Sequence, residues 1–186
     1  MRMAGIALRG SIDINTQLRR AGMAKRSFAV DGSTVKLDNI SFSEPGGETR
    51  SGWWARINLP RARMDWNKPL AVAGSADVTM KDVGFLLSLF SRQREYPKWV
   101  YKLIDSGQAQ VKGKVQWNND TLLLDQIDAS NQRFDLLARM RLRGKSRNGS
   151  LYAKWGPLSM GVEMDGTKSK FHPVRARQWY DAQTLR

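Results

Sequence analysis

The chain has 186 residues, 41% of them hydrophobic, enough to bury a sizeable core and to set the expectation of one domain rather than two. It contains no cysteine, which excludes a disulfide framework and a thiolate metal site. A formal charge of +14 and a pI near 10.5 direct any charged partner towards polyanions: nucleic acid, anionic lipid head groups or lipopolysaccharide.

No run approaches the roughly 18 consecutive apolar residues of a membrane-spanning helix. The longest candidate, Val83 to Phe90, is far too short. At the start, Arg9 cuts the apolar run of Met1 to Leu8 before a signal-peptide core develops. That start reads as the interior of a strand, so residues 1–186 are expected to be one β-rich domain forming the C-terminal segment of a longer protein.

Period-two alternation, the mark of strands with one buried and one wet face, dominates the chain. Ile6, Leu8, Ile12 and Ile14 alternate with Arg9, Ser11, Asp13 and Asn15, and Leu70, Val72, Ala76, Val78 and Met80 alternate with smaller or polar residues. Val111, Val115 and Trp117 alternate with Lys112, Lys114 and Gln116; Phe134, Leu136, Ala138, Met140 and Leu142 alternate with Asp135, Arg139, Arg141 and Arg143. Asp31-Gly32-Ser33, Asn118-Asn119-Asp120, Asn148-Gly149 and Asp165-Gly166 stand as hairpin turns, which makes neighbouring strands antiparallel. Pro45-Gly46-Gly47 marks a longer loop, and Pro60 reads as a strand end or edge.

One region has a different period. From Asp82 to Asp105, Val83, Leu86, Leu87 and Phe90, then Trp99, Val100, Leu103 and Ile104, recur at three- and four-residue steps, predicting two amphipathic helices divided near Pro97. Asp82 suits the N-cap and Gly107 the stop. A further helical turn is expected after Pro173, through Ala176 and Trp179. The fold class is therefore mainly β: a curled antiparallel sheet, groove or sandwich-like, with a two-helix insert at about 82–105. No repeat with a shared residue signature is found.

Chemistry has little to stand on. His172 is the only histidine, so a multi-histidine metal site is excluded and a Ser-His-Asp triad would hinge on one residue with no nucleophile motif nearby. Its expected role is structural or superficial. The pairs Asp125/Asp128 and Asp77/Asp82 sit near strand ends, where carboxylates are usually solvated, and Asp31, Asp38, Asp120 and Asp165 lack calcium-loop spacing. Gly46-Gly47 lacks the lysine and hydroxyl of a phosphate loop. No catalytic residue, metal ligand or cofactor is assigned, and the protein is expected not to be an enzyme.

The basic residues say more. Arg139, Arg141 and Arg143 share one strand face, with Lys145 and Arg147 in phase, and that stripe either attracts a phosphate-rich partner or is a solvated face that keeps the sheet soluble. The seven tryptophans could stack single-stranded nucleic acid. Trp117 and Trp155, however, follow apolar strand positions, which favours core or groove lining.

The second half, about residues 70–180, resembles the C-terminal region of AsmA-like proteins. The likeness is carried by the helical stretch Phe90 to Lys102 broken at Tyr96-Pro97-Lys98-Trp99, then Gly113-Lys114-Val115-Gln116-Trp117, Leu122-Leu123-Leu124-Asp125 and Phe134 to Arg143. Gly149 to Val162 and the closing Ala176-Arg177-Gln178-Trp179-Tyr180 extend it. The resemblance implies a place in the bacterial cell envelope with the TamB and AsmA group: periplasmic, anchored in the inner membrane through an upstream segment that this chain does not contain. It also implies a β-groove with an apolar interior, serving lipid transport or outer-membrane homeostasis.

On this reading the groove is lined by Val72, Val78, Val111, Val115, Leu136 and Met140, and Arg139, Arg141 and Arg143 select anionic head groups. The partner is an anionic phospholipid or other envelope lipid, with envelope proteins beside it. The same six residues would also line a closed core. A basic nucleic-acid-binding β-domain is the first alternative, and a structural or protein-assembly module pairing through sheet edges is the second.

Overall fold

The computed structural model describes residues 2–3, 6–20, 26–43, 49–66, 69–83, 107–144 and 146–184. Among these residues thirteen strands form one antiparallel sheet: β1 (Arg2–Met3), β2 (Ile6–Asn15), β3 (Arg19–Arg20), β4 (Ser27–Ala29), β5 (Ser33–Ser43), β6 (Thr49–Asp65), β7 (Ala71–Met80), β8 (Ala109–Asn118), β9 (Thr121–Ser130), β10 (Phe134–Arg143), β11 (Ser146–Trp155), β12 (Leu158–Asp165) and β13 (Lys168–His172). The order is β1-β2-β5-β6-β7-β8-β9-β10-β11-β12-β13, an open meander, with β4 also on β6 and β3 on β4. The expected strands around Ile6–Ile14, Leu70–Met80, Val111–Trp117 and Phe134–Leu142 are β2, β7, β8 and β10.

The helix among the described residues is α1 (Ala176–Asp181), at the place expected for the closing turn. The two helices expected over about 82–105 lie, from residue 84 onwards, outside the described residues, as does Pro45-Gly46-Gly47. None of the helices among the described residues is long and apolar enough to cross a membrane.

Two hairpin turns fall as expected, with Asn119 and Asp120 joining β8 to β9 and Gly166 and Thr167 joining β12 to β13. Three expectations are corrected. Asn148-Gly149 is not a turn but lies inside β11, opposite Met140 and Arg141; the turn is at Gly144, because Arg143 already pairs with Ser146. The glycine is needed for another reason: a Cβ at Gly149 would collide with the Arg139 carbonyl and the Met140 Cα. Asp31-Gly32 is not a hairpin either. It interrupts one long edge between β4 and β5, both of which lie along β6, and is stapled there by the Ala62 N–H donating to Asp31 Oδ1 at 2.7 Å and the Gly32 N–H donating to the Leu59 carbonyl at 2.8 Å.

Pro60, expected at a strand end or edge, stands inside the 17-residue β6, a central strand. The register against β7 shifts between Asn58 and Arg61. Proline is tolerated there because a bulge removes its residue from the hydrogen-bond ladder. Similar shifts occur in β5 around Asn39 and in β9 around Gln126, both with positive φ of 49° and 52°. Each extra residue reverses the alternation, so Leu37 and Ile40, or Leu124 and Ile127, sit on one face although three apart. Bulges also bend and twist the strands that carry them.

One face holds a single apolar cluster running from Ile40 on β5 to Met164 on β12, with Phe171 of β13 packed against it. Trp53 is buried in it, its indole Nε1 donating to the Asp82 carbonyl at 3.1 Å.

Candidate functional site: an apolar track across the sheet

Residues directly opposite one another in antiparallel strands point to the same face. Following the register across the sheet, Ile14 faces Val35, Val35 faces Ile57, Ile57 faces Val78, and Val78 faces Val111. The line continues through Ala129, Leu136, Ala153 and Met160. Nine strands thus contribute one apolar residue each to a row perpendicular to the chain direction, spanning about 40 Å at the usual inter-strand spacing. Parallel rows flank it: Phe28, Met64, Val72, Trp117, Leu122 and Leu142 on one side, Ile12, Leu37, Ala55, Met80 and Ala109 on the other.

Exposure falls along this track. Ile14 is 63% and Ile12 54% exposed at the β2 end, Val35, Ile57 and Val78 are half-buried, and Leu136 and Ala153 are at 0%. All six residues assigned to the groove lie on this face. Val72, Val78 and Val115 are half-buried in its more open part, whereas Val111, Leu136 and Met140 are buried in the cluster with Leu151 and Val162. Ile12, Ile14, Val35 and Ile57, which were not assigned from the sequence, belong to the accessible part, as does Trp117, 40% exposed and expected as core or groove lining. Alternation placed them on a face, but only the register between strands distant in sequence lines them up.

The opposite face is polar at its centre, where Asp77, Lys112 and Asp128 stand in one cross-strand row. Arg139, Arg141 and Arg143 are on that face and differ in employment. Arg139 donates from Nη1 to the Gln183 carbonyl and stacks its guanidinium over the Tyr180 ring, 5.0 Å from the centroid. Arg143 pairs with Asp120 at 3.0 Å, and its hydrogen bond is the main reason the Asp120 carboxyl is held below its ordinary range. Arg141 is exposed. The stripe therefore lies behind the apolar track, not along it. By register, Arg20, Arg26, Arg143, Arg147 and Lys168 stand at strand ends along one rim of the sheet, where Asp65, Asp120 and Asp165 also stand.

The C-terminal helix closes the polar face over β11 and β12. Tyr180 and Ala176 bury against Tyr152, with Leu137 and Trp179 beside them. Burial pushes the Tyr180 phenol up to about 12, against the opposing pull of the Arg139 charge, and also raises that of Tyr152. His172 stacks on Trp179 and lies 3.4 Å from Glu163 Oε2. Asp125 accepts from the Gln126 N–H in its bulge, and Asp128 is exposed opposite Lys112. Among the described residues no three His, Cys, Asp or Glu side chains gather to hold a metal ion. Compared with family models, curated proteins and solved structures, the chain matches none.

Proposed function

We propose that this chain is a non-enzymatic segment of the bacterial cell envelope that binds the acyl chains of anionic phospholipids along its apolar track, as part of lipid transport or outer-membrane homeostasis. The observation that carries the reading is the in-register row from exposed Ile14 to buried Leu136, because a half-covered apolar strip wider than a single side chain is costly in water unless something lies on it. The sheet curls towards this face as a groove. Val83 enters the cluster at its closed end at 0% exposure.

Binding is passive. Each acyl CH₂ buried on Val35, Ile57, Val78 or Trp117 contributes roughly 0.8 kcal/mol, and the net charge of +14 with the basic rim favours anionic head groups. The AsmA-like resemblance adds the location: the periplasm, with an inner-membrane anchor upstream. Native mass spectrometry of gently purified protein, followed by organic extraction, tests the reading. Phospholipid should co-purify and be lost from Val78→Asp while the far-ultraviolet strand signal stays.

A second reading rests on Trp66, 58% exposed beside Arg26, whose carbonyl accepts its backbone N–H at 2.7 Å. An exposed aromatic next to a cation suits stacking of single-stranded nucleic acid. Lipid-free protein that retards a labelled oligonucleotide at moderate salt, and loses this on Trp66→Ala, would replace the lipid reading with that one.

A further inference from the structure

The two ends of the sheet are built differently. At the C-terminal end β13 has only five residues, two of them lysines, and runs into Pro173, all features that discourage pairing. At the other end β2 has ten residues, and among the described residues only β1 pairs on its outer side, at Ile6 and Ala7. From Leu8 to Asn15 its outer backbone groups have no strand partner among the described residues, and its apolar positions Ile12 and Ile14 are more than half exposed. A long edge with apolar residues on one face is a template for another strand.

The residues on that edge identify the strand that fits. In an antiparallel pair, opposed residues must share a face, so a strand pairing with its own copy can do so only in registers that match even with even and odd with odd. Of these, the register centred on Ser11 uses the free stretch from Leu8 to Ile14. It places Ile12 opposite Gly10, Ile14 opposite Leu8, and Arg9 opposite Asp13, twice by symmetry. The extra residue of the neighbouring bulge lies on β5, so β2 keeps its alternation throughout. Among the described residues Arg9 and Asp13 make no ion pair; Asp13 has Lys36 as its cross-strand neighbour on β5, and Arg9 has Ser41.

We propose that β2 is a homodimerisation edge: two copies pair antiparallel about a two-fold axis at Ser11, joining their sheets into one and their apolar tracks end to end. This interface is isologous, as a two-fold requires, and covers Ile12 and Ile14 in both copies. It stands whether or not the track binds lipid.

The chain has no native cysteine, so engineered ones report the register directly. Opposed Cα atoms across a two-fold lie about 4.5–5.5 Å apart, within disulfide reach. Ser11→Cys should oxidise to a covalent dimer. Asn15→Cys, with its two copies roughly 27 Å apart, should not. Sedimentation equilibrium of cysteine-free protein should show a concentration-dependent dimer, weakened about tenfold by Arg9→Asp or Asp13→Arg and restored by the double exchange. A monomer at all concentrations would overturn the proposal, and so would a dimer that neither charge reversal weakens or that cross-links equally well through Asn15→Cys.

Discussion

His172 stacks on Trp179 with ring centroids 4.1 Å apart and planes 12° from parallel. Beneath the indole lies Gly161, where a Cβ would enter the ring, so the last strand, the last helix and a glycine of β12 form one contact. Gly161→Val should therefore undock α1, and Trp179→Ala should do so by removing its anchor. Each is expected to cost about 1–3 kcal/mol in urea unfolding. Amide exchange should accelerate in α1 far more than in β10.

Burial along the track predicts a gradient of stability effects. Leu136→Ala removes a side chain at 0% exposure and should destabilise by about 2–5 kcal/mol. Ile14→Ala, at the open end, should stay within about 0.5 kcal/mol. Equal losses at the two positions, read from denaturant midpoints, would contradict the exposure pattern.

Tyr180 supplies a pH dependence. Burial raises its phenol to about 12, so the folded state holds this proton more tightly than the unfolded chain, whose phenol ionises near its ordinary value of 10. The stabilisation is full below about pH 10 and is lost as pH rises through 12. Absorbance at the phenolate band should show a step near 12 from Tyr180, with Tyr152 also raised above its ordinary value, and near-ultraviolet circular dichroism should lose the α1 signature in the same window. Tyr180→Phe should remove the step near 12.

Gly149→Ala tests the correction made at Asn148-Gly149. If that pair were a surface turn, alanine would be mild. Inside β11, its methyl group meets the Arg139 carbonyl and the Met140 Cα, and a loss of about 1–3 kcal/mol is expected by thermal or urea unfolding.

Alternation alone was sufficient for the strands around β2, β7, β8 and β10, because a strand with one dry face must place apolar residues at every second position. The loops at Asn119-Asp120 and Gly166 were equally legible, since each is short and flanked by strands whose phases match across it. What escaped were positions where local chemistry is ambiguous. Gly149 resembles a turn glycine but is required by a neighbouring backbone, and Pro60 resembles a strand breaker but occupies a bulge. Leu124 and Ile127 change phase because Gln126 is an extra residue, a shift visible in sequence only as a broken pattern.

The candidate site divides in the same way. Val72, Val78, Val111, Val115, Leu136 and Met140 belong to one apolar face by their spacing, and composition alone makes any charged partner anionic. Which of the six remain reachable depends on what folds over them, and that separates Val78 from Leu136. The sequence could not reveal that Arg139 is committed to Tyr180 and Gln183, or that Ile14, Val35, Ile57 and Val78 stand in one row, because pairings between strands tens of residues apart follow from tertiary register and not from local pattern.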